Sequence, residues 1–169
     1  MLGKKKRFRI LPIICGLFTL FLSMFSKIPL SFITPLLGYP VSDISLEFLT
    51  VGTVQFFAWG SLDSGIISTN FNNISIADSI PFIFWLITLL AGLFLFMSSS
   101  YMNKPKNMKK LMAISLFFLV TELIYHLTHY FILIYSGGTV SLGNGVYYLS
   151  SLIILIFIAF LRVTDYHFT

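Results

Sequence analysis

Basic and acidic residues occupy separate parts of this chain, and their separation restricts the folds open to it. All but one of the eleven Lys and Arg residues lie in three short strips beside apolar runs, at Lys4–Arg9, Lys104–Lys110 and Arg162. Four of the six acidic residues share the segment from Asp43 to Asp78. Because Lys and Arg are retained on the cytoplasmic side during membrane insertion, the pattern predicts an even number of crossings with both termini in the cytoplasm.

The composition agrees with a membrane location. Apolar residues make up 57% of the chain and charged residues 10%, whereas charged residues make up about 25% of a soluble domain. The net charge of +5 does not indicate nucleic acid, because the basic residues flank apolar runs and are not interleaved with aromatic residues. We therefore predict the lipid bilayer as a partner and no nucleic acid. Cys15 is the single cysteine, so no intrachain disulfide can form.

Four apolar stretches are long enough for helical spans, which need about 20 residues. Backbone groups in hydrocarbon must pair within their own segment, so each span is predicted to be a helix. The spans are 9–26, 80–98, 111–135 and 146–161, with outer segments 27–79 and 136–145, an inner segment 99–110 and an inner tail 162–169. The sequence thus predicts an all-α, multi-pass integral membrane protein, in the plasma membrane or another cellular membrane, with residues 1–169 forming one four-helix bundle.

The first outer segment is too long to be a simple connection. Residues 46–60 are rich in β-branched and aromatic side chains, and Asp63-Ser64-Gly65 looks like a turn before residues 66–69. We predict two or more short strands, with Thr139–Leu142 of the second outer segment as an addition, forming a small outer cap. The alternative is a re-entrant or interfacial helix from about Leu46 to Trp59.

Two short motifs belong to the outer segments. Asn73-Ile74-Ser75 fits the N-glycosylation acceptor pattern, which makes Asn73 a candidate glycosylation site. Gly143-Asn144-Gly145 lacks the strand-to-helix context of a nucleotide site, and we interpret it as a tight turn with positive φ.

The third span carries a polar stripe of Glu122, Tyr125, His126 and His129. Positions i, i+4 and i+7 share one helix face, and an ionised carboxylate at the bilayer centre costs about 3 kcal/mol, so the stripe must face protein. It is consistent with a hydrogen-bond network with Ser and Thr of neighbouring spans, with a proton relay, or with a metal or haem site whose ligands are Glu122, His126 and His129. A haem with two histidine ligands would need a second helix bearing an imidazole, and no other span has one.

The chain has no phosphate-binding glycine loop, HExxH, CxxC or nucleophile elbow, so we predict a non-enzymatic protein without a cofactor. Its predicted role is that of a structural, adhesion or assembly subunit that contacts other membrane proteins or copies of itself. The candidate contact residues are Phe56, Phe57, Trp59 and Leu62, because exposed aromatic residues anchor interfaces; alternatively they pack onto the top of the bundle. The alternative function is an accessory subunit of a membrane redox or transport complex that uses the polar stripe.

The arrangement resembles the claudin and peripheral-myelin-protein superfamily of four-span proteins. The stretch Phe57–Leu62 is similar to the tryptophan-containing GLW patch of the first outer loop in that family, with its residues in a different order. The stretch Leu142–Leu149 is similar to the LG-x-x-x-Y-x-x-W pattern that opens the fourth span. The resemblance implies an outer sheet and a barrier or adhesion role, although the family's paired loop cysteines are absent here.

Overall fold

Four long helices dominate the fold. The computed structural model describes residues 2–69, 76–101 and 104–164. The long helices are α1 (Leu2–Met24), α3 (Ile76–Ser98), α4 (Pro105–Tyr135) and α5 (Asn144–Thr164), and a single turn of helix, α2, covers Thr34–Leu37. Helix α4 starts with Pro105 in its first turn, where a missing N–H costs nothing. It ends before Gly137, whose φ of 82° gives the left-handed conformation typical of helix C-termini.

Three stretches are long and apolar enough to span a membrane: Ile80–Tyr101, Pro105–Tyr135 and Asn144–Val163. They indicate a membrane protein. The sequence predicted four spans, and the first of these falls in α1, where the apolar stretch Ile10–Met24 is shorter than a full span.

The four long helices pack in a ring, with α1 and α4 each contacting both α3 and α5. The interior is filled by fully buried aliphatic side chains such as Leu22, Leu95, Met112 and Leu149. Helices α1 and α3 approach closely at Gly16, where an added Cβ would lie 2.9 Å from the backbone nitrogen of Phe96. Small residues at such crossings let membrane helices pack backbone to backbone.

Five short strands form one antiparallel sheet: β3 (Leu49–Val51), β4 (Val54–Phe57), β5 (Gly60–Asp63), β6 (Ile66–Thr69) and β7 (Val140–Leu142). Their order across the sheet is β6-β5-β4-β3-β7. Four strands come from the first outer segment, and β7 of the second pairs with β3. The strand prediction is therefore confirmed and the alternative helix over 46–59 is wrong. The all-α class is corrected accordingly: the chain is mostly helical with a small sheet.

A two-residue turn connects β5 to β6. Ser64 and Gly65 have φ values of 47° and 88°, and they connect Asp63 directly to its partner Ile66. Two consecutive positive φ angles define the type I′ turn, whose twist suits a two-residue hairpin.

Residues 27–45 form a second, two-stranded sheet. Strands β1 (Lys27–Ile28) and β2 (Ile44–Ser45) pair antiparallel and enclose α2. Lys27 Nζ lies 2.8 Å from Asp43 Oδ2, and the Ser31 N–H donates to Asp43 Oδ1. The hydrogen bonds from Lys27 and Ser31 hold the pKa of Asp43 well below its usual range. Lys27, the one basic residue outside the three strips, thus has a local acidic partner.

The junction between the sheet and α5 depends on two glycines. The Gly143 N–H donates to the Phe48 carbonyl at 3.0 Å, and the Gly145 N–H donates to the Glu47 carbonyl at 2.7 Å. A Cβ on Gly143 would overlap the backbone of Glu47, and one on Gly145 would lie 2.7 Å from the Leu46 carbonyl oxygen. The tight-turn interpretation with positive φ is wrong, because neither glycine has a positive φ. Close backbone approach is the reason for glycine at both positions.

Candidate functional site

A cavity of about 200 Å³ lies between the sheet, the N-terminal part of α3 and the C-terminal half of α4. All four residues of the predicted polar stripe line it, together with residues of the sheet and of α3. The lining residues from these other elements are Leu49, Phe56, Phe57, Ala58, Gly60, Ser61, Ser68, Pro81 and Phe84. The cavity therefore lies between the polar stripe of α4 and the predicted strands, two features that the sequence indicates separately.

Glu122 and His126 form the most deeply buried polar pair. Their exposed fractions are 1% and 6%, and His126 Nε2 lies 3.0 Å from Glu122 Oε1. The spacing of four residues on α4 puts the two side chains one above the other, so the imidazole N–H can donate to the carboxylate. This hydrogen bond satisfies one buried polar atom of each residue.

Aromatic rings enclose this pair. Phe48, which is fully buried, stacks on the His126 imidazole with ring centres 4.2 Å apart and planes 10° from parallel. Tyr125 stacks on Phe84 of α3 at 3.9 Å. His129, the most C-terminal member of the stripe, contacts Phe56 of β4 edge to face, with ring centres 6.4 Å apart.

Two polar atoms of the pair have no partner within the part of the chain that the structure describes. They are Glu122 Oε2 and His126 Nδ1, and both are fully buried. Leaving a buried donor or acceptor unsatisfied costs about 1–3 kcal/mol per group. Both residues are also among those that line the cavity.

Hydroxyl groups of the spans do not complete this pair. Thr19, Thr88 and Ser115 are buried, yet each donates to a carbonyl four residues earlier in its own helix. Such bonds satisfy the hydroxyl without linking helices. In the residues that the structure describes, the bond made by Glu122 is therefore within α4, which differs from the network with neighbouring spans that the sequence suggested.

The described residues contain no group of three His, Cys, Asp or Glu side chains placed to hold a metal ion. His129 lines the same cavity as Glu122 and His126, but it faces Phe56 and Tyr125. Within the described residues, the cavity thus combines one buried Glu–His pair with aromatic side chains.

Two of the four predicted contact residues line the cavity. Phe56 and Phe57 line the cavity, and Phe57 stacks on Trp59 at 5.3 Å. Leu62 is partly buried in β5. Inward packing, the alternative considered for these residues, describes Phe56 and Phe57. Asn73, the glycosylation candidate, lies outside the described residues.

Exposed apolar side chains of the sheet are found instead on β6. Ile66 is 73% exposed and Ile67 is 61% exposed, and β6 is an end strand. The sequence pattern predicts residues 66–69 only as a strand, and they are not among the candidate contact residues. The missed signal was two adjacent isoleucines after a two-residue turn, at the end of the run of strands.

No family model, no curated protein and no solved structure matches this chain.

Proposed function

We propose that this protein is a non-enzymatic four-span membrane protein that acts as a structural, adhesion or assembly subunit through its sheet. The observation that carries the proposal is the apolar edge of β6, which no other strand among the described residues pairs with. The topology has both termini in the cytoplasm and the sheet on the opposite side of the membrane. The membrane is the plasma membrane or another cellular membrane.

The packing of α1 supports a fourth crossing. Helix α1 has 23 residues, and its apolar stretch Ile10–Met24 covers about 22 Å at 1.5 Å per residue, which is most of a hydrocarbon core of about 30 Å. Cys15, Thr19 and Leu22 are buried in the bundle, whereas Ile14 and Leu17 are exposed on its outside. One face of α1 therefore packs on protein while the other is suited to lipid.

The geometry of β6 supports contact by strand pairing. Asp63 and Ile66 close the two-residue turn as a hydrogen-bonded pair, so Ile67 occupies the next, non-hydrogen-bonded position opposite Leu62. At that position the N–H and C=O of Ile67 point away from β5, toward the open edge. An exposed, apolar edge strand is a template for pairing with another chain.

The occupant we propose for this edge is β6 of a second copy. Residues 66–69 carry no charge, so two copies can approach antiparallel without like-charge repulsion. A contact of this kind is self-complementary and closes as a two-fold dimer. The exposed isoleucine side chains would add buried apolar area to the main-chain hydrogen bonds.

The claudin-like class is part of the same proposal. Its support is a sheet of four strands from the first outer segment and one from the second, above a ring of four long helices. The pairing of β7 with β3 joins the two outer segments without a disulfide, which is consistent with the lack of paired cysteines.

A pair of substitutions at one position tests the edge contact. Ile67→Pro removes the N–H that faces the open edge, and proline is tolerated at such positions, so the ladder with β5 should survive while dimer formation is lost. Ile67→Thr keeps the N–H and should keep most of the dimer. The measurement is the mass of the purified protein in detergent micelles by light scattering, together with cross-linking in native membranes. Equal dimer content in Ile67→Pro and the parent protein would refute the pairing.

Single-cysteine labelling tests the topology. Cys15 is buried, and Cys15→Ala gives a background without thiols. Ser64→Cys on the sheet and Lys106→Cys on the inner segment should then react with a membrane-impermeant reagent from opposite sides of sealed vesicles. Labelling of both from the same side would contradict an arrangement with the sheet outside and the α3–α4 connection inside.

A further inference from the structure

A patch of exposed apolar side chains follows the C-terminal end of α1. It comprises Phe32, Leu36, Leu37 and Tyr39, which lie between β1 and β2, and Leu36 is 83% exposed. We call residues 25–42 the arm. Exposed apolar side chains gathered in one short segment mark a surface that contacts a protein or a membrane.

We propose that the arm lies in the interfacial region of the outer leaflet, with its apolar side chains in contact with the acyl chains of the lipids. The arm then completes the first crossing on the side where α1 ends. This inference rests on the four-span arrangement proposed above, and it adds a lipid contact to the contacts between proteins proposed there.

The length of α1 places the arm close to the membrane. The apolar stretch Ile10–Met24 covers about 22 Å at 1.5 Å per residue. A hydrocarbon core of about 30 Å then extends about 8 Å beyond Met24. Apolar side chains of a segment at the membrane surface reach about 5–10 Å into the boundary between headgroups and acyl chains. The side chains of the arm can therefore cover the missing distance while its backbone stays at the surface.

The packing of α1 on α3 gives a similar depth independently. A Cβ added to Gly92 would lie 3.0 Å from the backbone nitrogen of Leu20, so these two positions are level. Because the two helices run antiparallel, Met24 is level with Thr88. The apolar stretch of α3 begins at Ile80, about 12 Å further along the helix axis at 1.5 Å per residue. The apolar surface of the bundle therefore continues beyond the end of α1, beside the arm.

The charges of the arm region are compensated. Lys27 and Asp43 are the only charged residues between positions 25 and 46, and Lys27 Nζ lies 2.8 Å from Asp43 Oδ2. Each charge thus has a partner of opposite sign, which lowers the cost of holding it near lipid. The exposed apolar side chains between them are free of uncompensated charge.

The backbone of the arm also meets a requirement of lipid contact, which is that polar groups be satisfied within the protein. Four N–H groups of the arm have acceptors within residues 30–43: those of Ser31, Ile33, Gly38 and Val41. Three further positions have no N–H because they are prolines: Pro29, Pro35 and Pro40. Tyr39 is of a residue type enriched at membrane interfaces.

The test measures the depth of a nitroxide label attached to a single cysteine in the Cys15→Ala background. Leu36→Cys places the label on the arm, Ser64→Cys places it on the turn of the sheet, and Phe117→Cys places it on the exposed face of α4. In proteoliposomes the label at position 36 should lie about 5–10 Å below the lipid phosphates. It should collide with oxygen as often as the label at position 117, and with a water-soluble nickel chelate several-fold less often than the label at position 64.

Two results would overturn the proposal. A nickel collision rate at position 36 equal to that at position 64 would mean that the arm lies in water. Low collision rates with both reagents at position 36 would mean that a second copy of the protein covers the arm in place of lipid.

A pair of substitutions tests whether the lipid contact holds the arm in place. The label is moved to Phe32→Cys. Leu36→Asp should raise its nickel collision rate several-fold, because a charged side chain is unfavourable next to acyl chains. Leu36→Ile keeps the apolar surface and should leave that rate unchanged. Equal rates in these two variants would overturn the proposal.

Failure of the four-span arrangement would have a different signature. In the topology experiment, cysteines at positions 64 and 106 would then react from the same side of the vesicles, whatever the depth of the label at position 36. The two failures can therefore be distinguished.

Discussion

Removing the two members of the buried pair separately and together should give strongly non-additive losses of stability. Glu122→Leu leaves the Nε2–H of His126 buried without its acceptor, which costs about 1–3 kcal/mol. His126→Leu leaves a buried carboxylate without its partner, which costs about 3–5 kcal/mol unless the carboxylate takes up a proton. That variant also removes the stacking of the imidazole on Phe48, worth about 0.5–1.5 kcal/mol.

The double variant replaces both polar groups with side chains that suit the apolar surroundings. Replacing both partners of a buried pair is nearly neutral when the volume is kept, so we expect the Glu122→Leu/His126→Leu protein to lie within about 1–2 kcal/mol of the parent. The interaction free energy from the double-mutant cycle is then at least about 2.5 kcal/mol, because the two single losses together exceed the loss in the double variant.

The assay is reversible unfolding in mixed detergent micelles, followed by the circular dichroism of the helices. Ala113→Leu, at an exposed position on the same helix, is the matched control and should change the free energy of unfolding by less than about 0.5 kcal/mol. Losses that add within about 0.5 kcal/mol would show that the two side chains do not depend on each other. That result would refute the assignment of the hydrogen bond as their main interaction.

Three further predictions concern the packing of the bundle and the cap. Gly143→Ala forces a Cβ into the backbone of Glu47 and should lower the free energy of unfolding by about 2–4 kcal/mol, whereas Ser141→Ala at an exposed position should have little effect in the same assay. Gly92→Leu adds a side chain where a Cβ alone would lie 2.8 Å from Leu20, and it should reduce cross-linking between cysteines placed on α1 and α3. Because the pKa of Asp43 is held below its usual range, its contribution is present above pH of about 4 and is lost as pH falls below that value. The protection factors for backbone hydrogen exchange in residues 27–45, which correct for the intrinsic pH dependence of exchange, should therefore fall on acidification. Asp43→Asn should remove that fall and lower the protection factors at neutral pH.

The helices and most strands follow from local sequence. Residues 111–135 contain enough consecutive apolar side chains to form a helix in lipid whatever surrounds them, and the structure extends that helix to begin at Pro105. The strands between Leu49 and Thr69 follow from β-branched and aromatic side chains between turns that need glycine. The polar stripe on α4 could be predicted because helical periodicity alone puts Glu122 and His126 on one face.

The cavity and its neighbours could not be predicted in this way, because they depend on where the sheet lies over the helices. Nothing near Phe48 indicates that its ring stacks on an imidazole almost eighty residues later in the chain. Likewise, the sequence around Gly143 predicts a turn, but the reason for glycine is the passage of residues 46–48 beside it. Both features result from the pairing of β3 with β7, which is a long-range contact.

That long-range contact also explains how the cap can hold without a disulfide. Leu46, Phe48 and Leu49 precede or begin β3, and all three are fully buried. Burying each contributes about 1.5–3 kcal/mol, which is an upper estimate because the unfolded chain is partly compact. Together they exceed the roughly 2–4 kcal/mol that a disulfide typically contributes. The apolar residues before β3, fixed by the Gly143 junction, therefore take the place that a covalent link would have in holding the sheet to the bundle.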